Sequence, residues 1–347
     1  MKEFLELRRD RRTVAMIIVL PLVLLVVFGY AASFNVDTVS TRVVGPQAQQ
    51  VAGELRDPFD VAEVDPQGDE AGAREQLRDG EADVVVIAGD GGSRALVDGS
   101  QLFVAKAAVA ELAQRGGDID AEVLYNPDLE TSWVMVPALV GLILMFIGTI
   151  ITSIGLVRER QAGTLEQLAV MPFRPSDVIA GKIAPYFALA SLDMVVVTVV
   201  GCLLFGVPFE GSVVLFALGA ALFLFTVLGI GVLVSTVSQN QGQATQMAMM
   251  VMLPQILLSG MIFPLESMAV GVRWIGYLLP LTYFIQISNG IMLRGAPIAS
   301  LWLPLTVLAG MAALVFCSAV LRFRRDLAPS RPAAKGADTS VEAGGAR

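Results

Sequence analysis

The chain has 347 residues, of which 55% are hydrophobic and only 16% charged, with a mean hydropathy of +0.68. A water-soluble protein of this length carries about a quarter of its residues as charges, so the composition excludes a soluble globular fold and describes an integral membrane protein. The formal charge of −8 averages two unlike regions: residues 34–132 hold 20 acids against 7 bases, a net of −13, and the rest hold 12 acids against 17 bases, a net of +5.

Residues 1–12 form a basic N-terminal segment containing Lys2, Arg8, Arg9, Arg11 and Arg12. A helix needs about 20 apolar residues to cross a hydrocarbon core roughly 30 Å thick, and the charge-free run that follows predicts a first span over 13–34. The basic start and Ala31-Ala32-Ser33 also resemble a cleaved signal peptide. The length of the run and Pro21 at its centre argue for a retained helix.

The acidic block, residues 35–131, reads as a small α+β domain. Strands are predicted at 41–44, 59–64, 83–88 and 121–125 by β-branched content and alternation. Helical apolar spacing covers 47–56, 69–79 and 101–115, with turns at the glycine clusters 89–92 and 116–118.

A second span follows at 132–157, a cytoplasmic segment at 158–177, and a third span at 178–206, whose apolar stretch after Lys182 is broken only by Asp193. The next charge-free run suits two spans, 212–237 and 243–264. They are split at the polar knot Ser238-Gln-Asn-Gln-Gly-Gln243. Residues 265–297, with Trp274, Tyr277, Tyr283 and several prolines, are too broken for a span and read as short re-entrant or interfacial helices on the outer side. A sixth span at 299–322 precedes a tail, 323–347, whose Pro, Ala, Gly and Ser content predicts disorder. The expected fold is a polytopic α-helical membrane protein with six transmembrane helices and an extracytoplasmic α+β domain between helices 1 and 2.

Lys and Arg collect at 2–12, at 158–182 and at 322–325. Six spans put these clusters on one side, which the positive-inside rule makes the cytoplasm. Both termini then lie in the cytoplasm of a multi-pass protein of the plasma or inner membrane.

The chain has no histidine, which removes Ser-His-Asp and Cys-His catalysis and most zinc sites. Cys202 and Cys317 sit in apolar runs and read as small buried hydrophobes. No catalytic residue and no metal site is expected. Gly181-Lys182-Ile183 lacks the upstream glycine and the hydroxyl of a nucleotide-binding loop. Small residues at Gly141, Gly148, Gly229 and Gly231 suit close helix packing. Asp193 is the one ionisable group well inside a predicted span, where a charge is costly. It reads either as an interhelical hydrogen bond or as a pathway residue.

The most informative segment is Arg158-Glu-Arg-Gln-Ala-Gly-Thr-Leu-Glu-Gln-Leu168, followed by Met171-Pro172 and Pro175. Leu165 and Leu168 share a helical face, while Glu159, Arg160 and Glu166 can point to water or to a partner. Thr164 gives a helix start after Gly163. Spacing alone allows a solvated loop helix as readily as a contact surface.

This segment resembles the cytoplasmic signature of ABC-2-type transporter permeases, the membrane subunits of multidrug- or antibiotic-efflux ABC exporters. Other segments match in order: Arg9-Asp-Arg-Arg12 before the span with Pro21, Tyr125-Asn-Pro127, Gly181-Lys182 with Pro185-Tyr186, Phe205-Gly-Val-Pro208, Leu258-Ser-Gly-Met-Ile-Phe-Pro264, Glu266-Ser-Met268 and Pro280-Leu-Thr-Tyr-Phe284. Departures occur at Gln161, where the family often has a second acid, at Ala269, and at Ser288-Asn289 before the terminal Gly-x-x-x-Arg-Gly run. The resemblance places the family's transmembrane domain at about 122–327.

The resemblance implies a permease, not itself an enzyme, driven by a separate ABC ATPase that binds the ATP and Mg, so that no cofactor sits on this chain. It implies a second permease subunit, identical or homologous, a surrounding of membrane lipid, and hydrophobic or amphipathic cargo such as drugs, antibiotics or lipids. No nucleic acid is expected as a partner. The implied ATPase-coupling residues are Arg158, Glu159, Arg160, Gly163, Thr164, Leu165 and Glu166. Asp193 becomes a pathway candidate, and Pro264, Glu266 and Tyr283 become outer-gate candidates. The rival readings are a non-transporting receptor or anchor whose exterior domain binds a partner, and an intramembrane enzyme, for which no catalytic pair is evident.

Overall fold

A computed structural model describes residues 36, 38–89, 92–114, 119–162 and 175–326, with backbone alone for 175–180, 182, 266, 270 and 323–326. The N-terminal segment, the predicted first span and the tail beyond 326 lie outside the described residues.

The acidic block is a five-stranded mixed sheet in the order β2-β1-β3-β4-β5. Its elements run β1 (Val39–Val44), α1 (Ala48–Glu54), β2 (Phe59–Asp65), α2 (Glu70–Asp79), β3 (Val84–Gly89), β4 (Gly92–Asp98), α3 (Leu102–Gln114) and β5 (Ile119–Leu124). β1 is parallel to both β2 and β3, β3 and β4 form an antiparallel pair, and β4 is parallel to β5. α1 and α3 cover one face through Val51, Val104, Ala108 and Leu112 against Val43, Val84 and Val97. α2 covers the other through Ala73 and Leu77 against Val44, Val85 and Leu96.

β4 corrects the sequence reading, which stopped at a glycine turn and placed no strand at 92–98. Ala95, Leu96 and Val97 are all buried, because an inner strand of a sheet covered on both faces loses the alternation that marks a half-buried one. α2 begins on Asp69, whose carboxylate accepts from the Gly72 amide at 2.9 Å. It ends on Gly80 in the left-handed conformation, φ +73°, the arrangement a helix C-terminus favours.

A tight corner joins this domain to the helices. Tyr125 and Leu129 take positive φ, +66° and +49°. Asn126, fully buried, accepts from the Glu130 amide at 2.8 Å and donates to the Glu130 carbonyl at 3.0 Å. One amide side chain thus satisfies both backbone groups at the mouth of the next helix.

The remainder is helical: α4 (Thr131–Gln161), α5 (Pro175–Phe205), α6 (Val213–Val237), α7 (Gln241–Leu258), α8 (Val270–Gly276), α9 (Pro280–Met292) and α10 (Trp302–Asp326). Among the described residues four stretches are long and apolar enough to cross a membrane: Thr131–Gln161, Ile183–Phe205, Val213–Val237 and Trp302–Arg322. The chain is a multi-pass, mostly helical membrane protein. α4 runs past the expected end at 157 without a break. α7 stops at Leu258, short of the expected 264, where Gly260 turns left-handed at φ +88°. Its four glutamines also make it less apolar than those four stretches.

Helix packing relies on glycine, as expected where lipid gives little hydrophobic drive and close backbone approach supplies the contact. A Cβ on Gly141 would meet Phe284 at 2.5 Å, one on Gly148 would meet Val227 at 2.8 Å, and one on Gly229 would meet Val315 at 2.6 Å. A Cβ on Gly231 would stand 2.9 Å from the Thr149 carbonyl oxygen, inside a π-helical turn of α4, Ile147–Ile151. Such a turn adds a residue and widens the helix locally, and α6 fits against it only because it presents a glycine there.

α9 lies inside the bundle, antiparallel to α6. Ile291 meets Gly211, Ile287 meets Gly219, and Phe284 stacks on Phe223 with centroids 4.6 Å apart. Thirteen residues reach only about 20 Å, so α9 follows α6 for part of its length and cannot cross a bilayer alone.

Candidate functional site

The helices alternate in direction, so the bundle has two ends with different chemistry. The sheet domain, the start of α4, the end of α5, the start of α6 and the start of α10 share one end. The end of α4, the start of α5, the α6–α7 turn and the end of α10 share the other. Arg158, Arg160, Lys182, Arg322, Arg324 and Arg325 all belong to elements ending there.

At this basic end α4 and the α6–α7 turn are tied together. Arg160, half-buried, donates Nη1 to the carbonyls of Ser235 at 3.0 Å and Ser238 at 3.3 Å. These carbonyls lie at the C-terminal end of α6, where carbonyls lack intrahelical donors and carry the negative end of the helix dipole. Gln161 donates Nε2 to the Gln239 carbonyl at 3.5 Å and accepts from Gln241 at 3.4 Å. A carboxylate in this position could not donate to a carbonyl, so the family departure at Gln161 has a local use. The turn is ordered from within: Asn240 accepts from the Gln243 amide at 2.9 Å as the cap of α7, and Gln243 accepts from the Gln239 amide at 3.0 Å.

Of the coupling residues, Arg158 is exposed and Glu159 half-buried on the last turn of α4. They continue the membrane helix and are not part of a separate one. Gly163, Thr164, Leu165 and Glu166 lie outside the described residues, as does the predicted helix start at Thr164. Asp193 sits half-buried on α5, and its Oδ2 has no hydrogen-bond partner among the described residues.

At the opposite end the sheet domain is held to the helices by a buried ion pair. Arg294, just after α9, reaches Asp98 at 3.3 Å, with side-chain exposures of 12% and 0%. The guanidinium passes over Gly80, where a Cβ would stand 2.6 Å from Nη1. Beneath the domain lies a cavity of about 370 Å³, bounded by α3, the segment after α7, α9 and the start of α10. Pro264 lines it, and its carbonyl accepts from Ser267 Oγ at 2.8 Å. Tyr283 donates its hydroxyl to the Tyr277 carbonyl at 2.6 Å and thereby fixes α8 on α9. Glu266 falls in the short turn Leu265–Ser267, and its side chain is outside the described set. Arg294 was visible in the sequence only as part of the Gly-x-x-x-Arg-Gly run. Its partner lies 196 positions away, beyond the reach of local patterning.

Comparison with known proteins gives the family. The model of the family described as ABC-2 family transporter protein matches residues 11–321. The chain is 33% identical to the probable multidrug ABC transporter permease YbhR of Escherichia coli K12 over 201 residues, 58% of this chain and 55% of that protein. It is 34% identical to the inner membrane transport permease YhhJ of the same strain over 217 residues, 60% and 56% of the two chains. Similarity extends to ABC transporter G family member 20 of Dictyostelium discoideum, 27% identical over 207 residues, 59% of this chain and 28% of that one. The match thus spans about half the length of the bacterial relatives. With the family model covering most of the chain and the helical body in place, the chain belongs to the ABC-2 transporter family.

Proposed function

We propose that the chain is the permease subunit of an ATP-driven exporter that moves hydrophobic or amphipathic compounds out of the cell. ATP and Mg would be bound and hydrolysed on a separate ABC ATPase, and a second permease subunit, identical or homologous, would complete the path. The full body would have six spans, with residues 13–34 as the first and α7 as the fifth, and both termini in the cytoplasm. The sheet domain would lie outside the cell membrane, and α9 would serve as a re-entrant helix of the outer half. Support comes from the relatives named as permeases and from the basic residues that end the helices away from the sheet domain.

The observation that carries the coupling is the Arg160 contact with the end of α6. Closure of an ATPase dimer against Arg158–Glu166 would displace the end of α4, and Arg160 and Gln161 would pass that displacement to the α6–α7 turn. The resulting shift between inward and outward states is a population shift whose free energy comes from the partner. Glu159→Ala is expected to abolish ATP-dependent efflux of Nile red from proteoliposomes holding both subunits, with membrane folding intact. Unchanged efflux would contradict the coupling role. Topology is tested separately: in intact cells a membrane-impermeant maleimide should label Glu63→Cys and spare Gln239→Cys.

A further inference from the structure

α4 runs through two separate apolar clusters of the helical body. Its half nearer the sheet domain, 131–146, packs through Val136, Val140 and Leu144 into one cluster with Leu281 and Phe284 of α9. Its half nearer the basic end, 152–161, packs through Leu156 into another, with Ile183 of α5, Leu228 and Val232 of α6 and Ala319 of α10. The π-helical turn Ile147–Ile151 joins the two halves. The helix therefore changes its geometry at the level where it changes its neighbours.

The turn is held more loosely than the clusters beside it. Its buried groups and those just after it are Gly148, Thr149, Thr152 and Ser153, small or hydroxylic where the clusters are aliphatic and aromatic. Ser153 donates its hydroxyl to the Ile150 carbonyl at 3.0 Å, a back-bond of the kind that bends helices. A helical threonine commonly bonds the carbonyl three or four positions back. Thr152 Oγ1, on a fully buried residue, makes no such bond and has no partner among the described residues. A regular turn would let it form one, so the π form leaves unsatisfied a group that an α form can satisfy. α6 meets this level with Gly229 and Gly231. Helices kink at π-bulges and where glycines loosen the chain, and here both devices stand side by side.

We infer that this π-turn is a pivot, at which the two halves of α4 swing against each other. The inference rests on the transport reading for what drives the swing, and on the packing alone for the pivot. Arg160 ties the basic-end half of α4 to the end of α6, so these move together. The other half stays with α9, which leads into Arg294 and its ion pair with the sheet domain. A push on the end of α4 then turns one block against the other, a hinge motion about a few residues. Without the pivot the two halves form one stiff rod, and the blocks lose the second arrangement that an alternating cycle needs.

The test removes the extra residue of the turn. Ile151 is 42% exposed, so its deletion takes away little buried contact and restores a regular helix with both halves in register. The first measurement uses the full chain in phosphatidylcholine nanodiscs, without ATPase or nucleotide. Amides of 147–153 should exchange about tenfold faster than those of the α4 turns on either side, and the deletion should abolish that excess. The second uses the chain co-reconstituted with its ATPase in proteoliposomes. The deletion variant should still hydrolyse ATP, while ATP-dependent efflux of Nile red falls about tenfold. Exchange at 147–153 no faster than in the neighbouring turns, or parental efflux from a folded deletion variant, would overturn the pivot. If the deletion prevents folding, the exchange profile of the parent decides alone. Because that profile needs no ATP, a chain that shows the excess but does not transport contradicts the transport reading alone. A chain that transports without the excess contradicts the pivot alone.

Discussion

Two arginines mark the two ends of the helical bundle, and they are bound in opposite ways. Arg294 is buried against a carboxylate with no exposure of its own, so the joint between sheet domain and helices is an ion pair sealed from water. Arg160 binds two backbone carbonyls at the frayed end of α6, half-open to water and beside a turn of amides. Opening the first leaves a buried charge unpaired, whereas opening the second exposes carbonyls that water can satisfy. The joint at the sheet-domain end is therefore costly to open and the contact at the basic end much less so.

The largest effect should come from the joint between sheet domain and helices. Breaking a buried pair by removing one partner costs about 3–5 kcal/mol, so Arg294→Ala should lower thermal stability strongly. It should also release the sheet domain to limited proteolysis near residue 126. A variant as stable as the parent would remove the distinction between the two ends. Arg160→Ala should be milder, about 1–2 kcal/mol for lost bonds to a helix C-terminus, measured by thermal unfolding in the same detergent.

The smallest effect is in the exposed ion network of the sheet domain, where Arg74 links Glu70 and Glu122, and Arg94 binds the same two acids. Hydrogen bonding from Arg74, aided by the charge of Arg94 and opposed by partial desolvation, holds the Glu70 carboxyl below its ordinary value of 4.5. A carboxyl lowered in the folded state contributes stability at neutral pH that is lost as pH falls through the folded value. Acidification below 4.5 should therefore loosen α2 from the sheet, seen as faster amide exchange there, and Glu70→Gln should flatten that dependence.

Membrane residence and family were legible in the sequence, because the charge-free runs and ordered short motifs are local signals. The glycines at 141, 148, 229 and 231 were legible for the same reason: a small residue in an apolar helix already announces a close neighbour. β4 was not legible, since Ala95, Leu96 and Val97 owe their strand to neighbours on both sides. The targets of Arg160 lie 75 and 78 positions away, so the segment showed its charge and not what the charge holds. The wall of the cavity beneath the sheet domain comes from five separate elements and the segments between them, and no spacing rule joins them.

The most direct test of the account is to measure transport and ATP hydrolysis together in the Arg160→Ala permease co-reconstituted with its ATPase. The account predicts that the ATPase still binds and hydrolyses ATP while ATP-dependent efflux of Nile red is lost. Efflux and hydrolysis both at parental levels would contradict it.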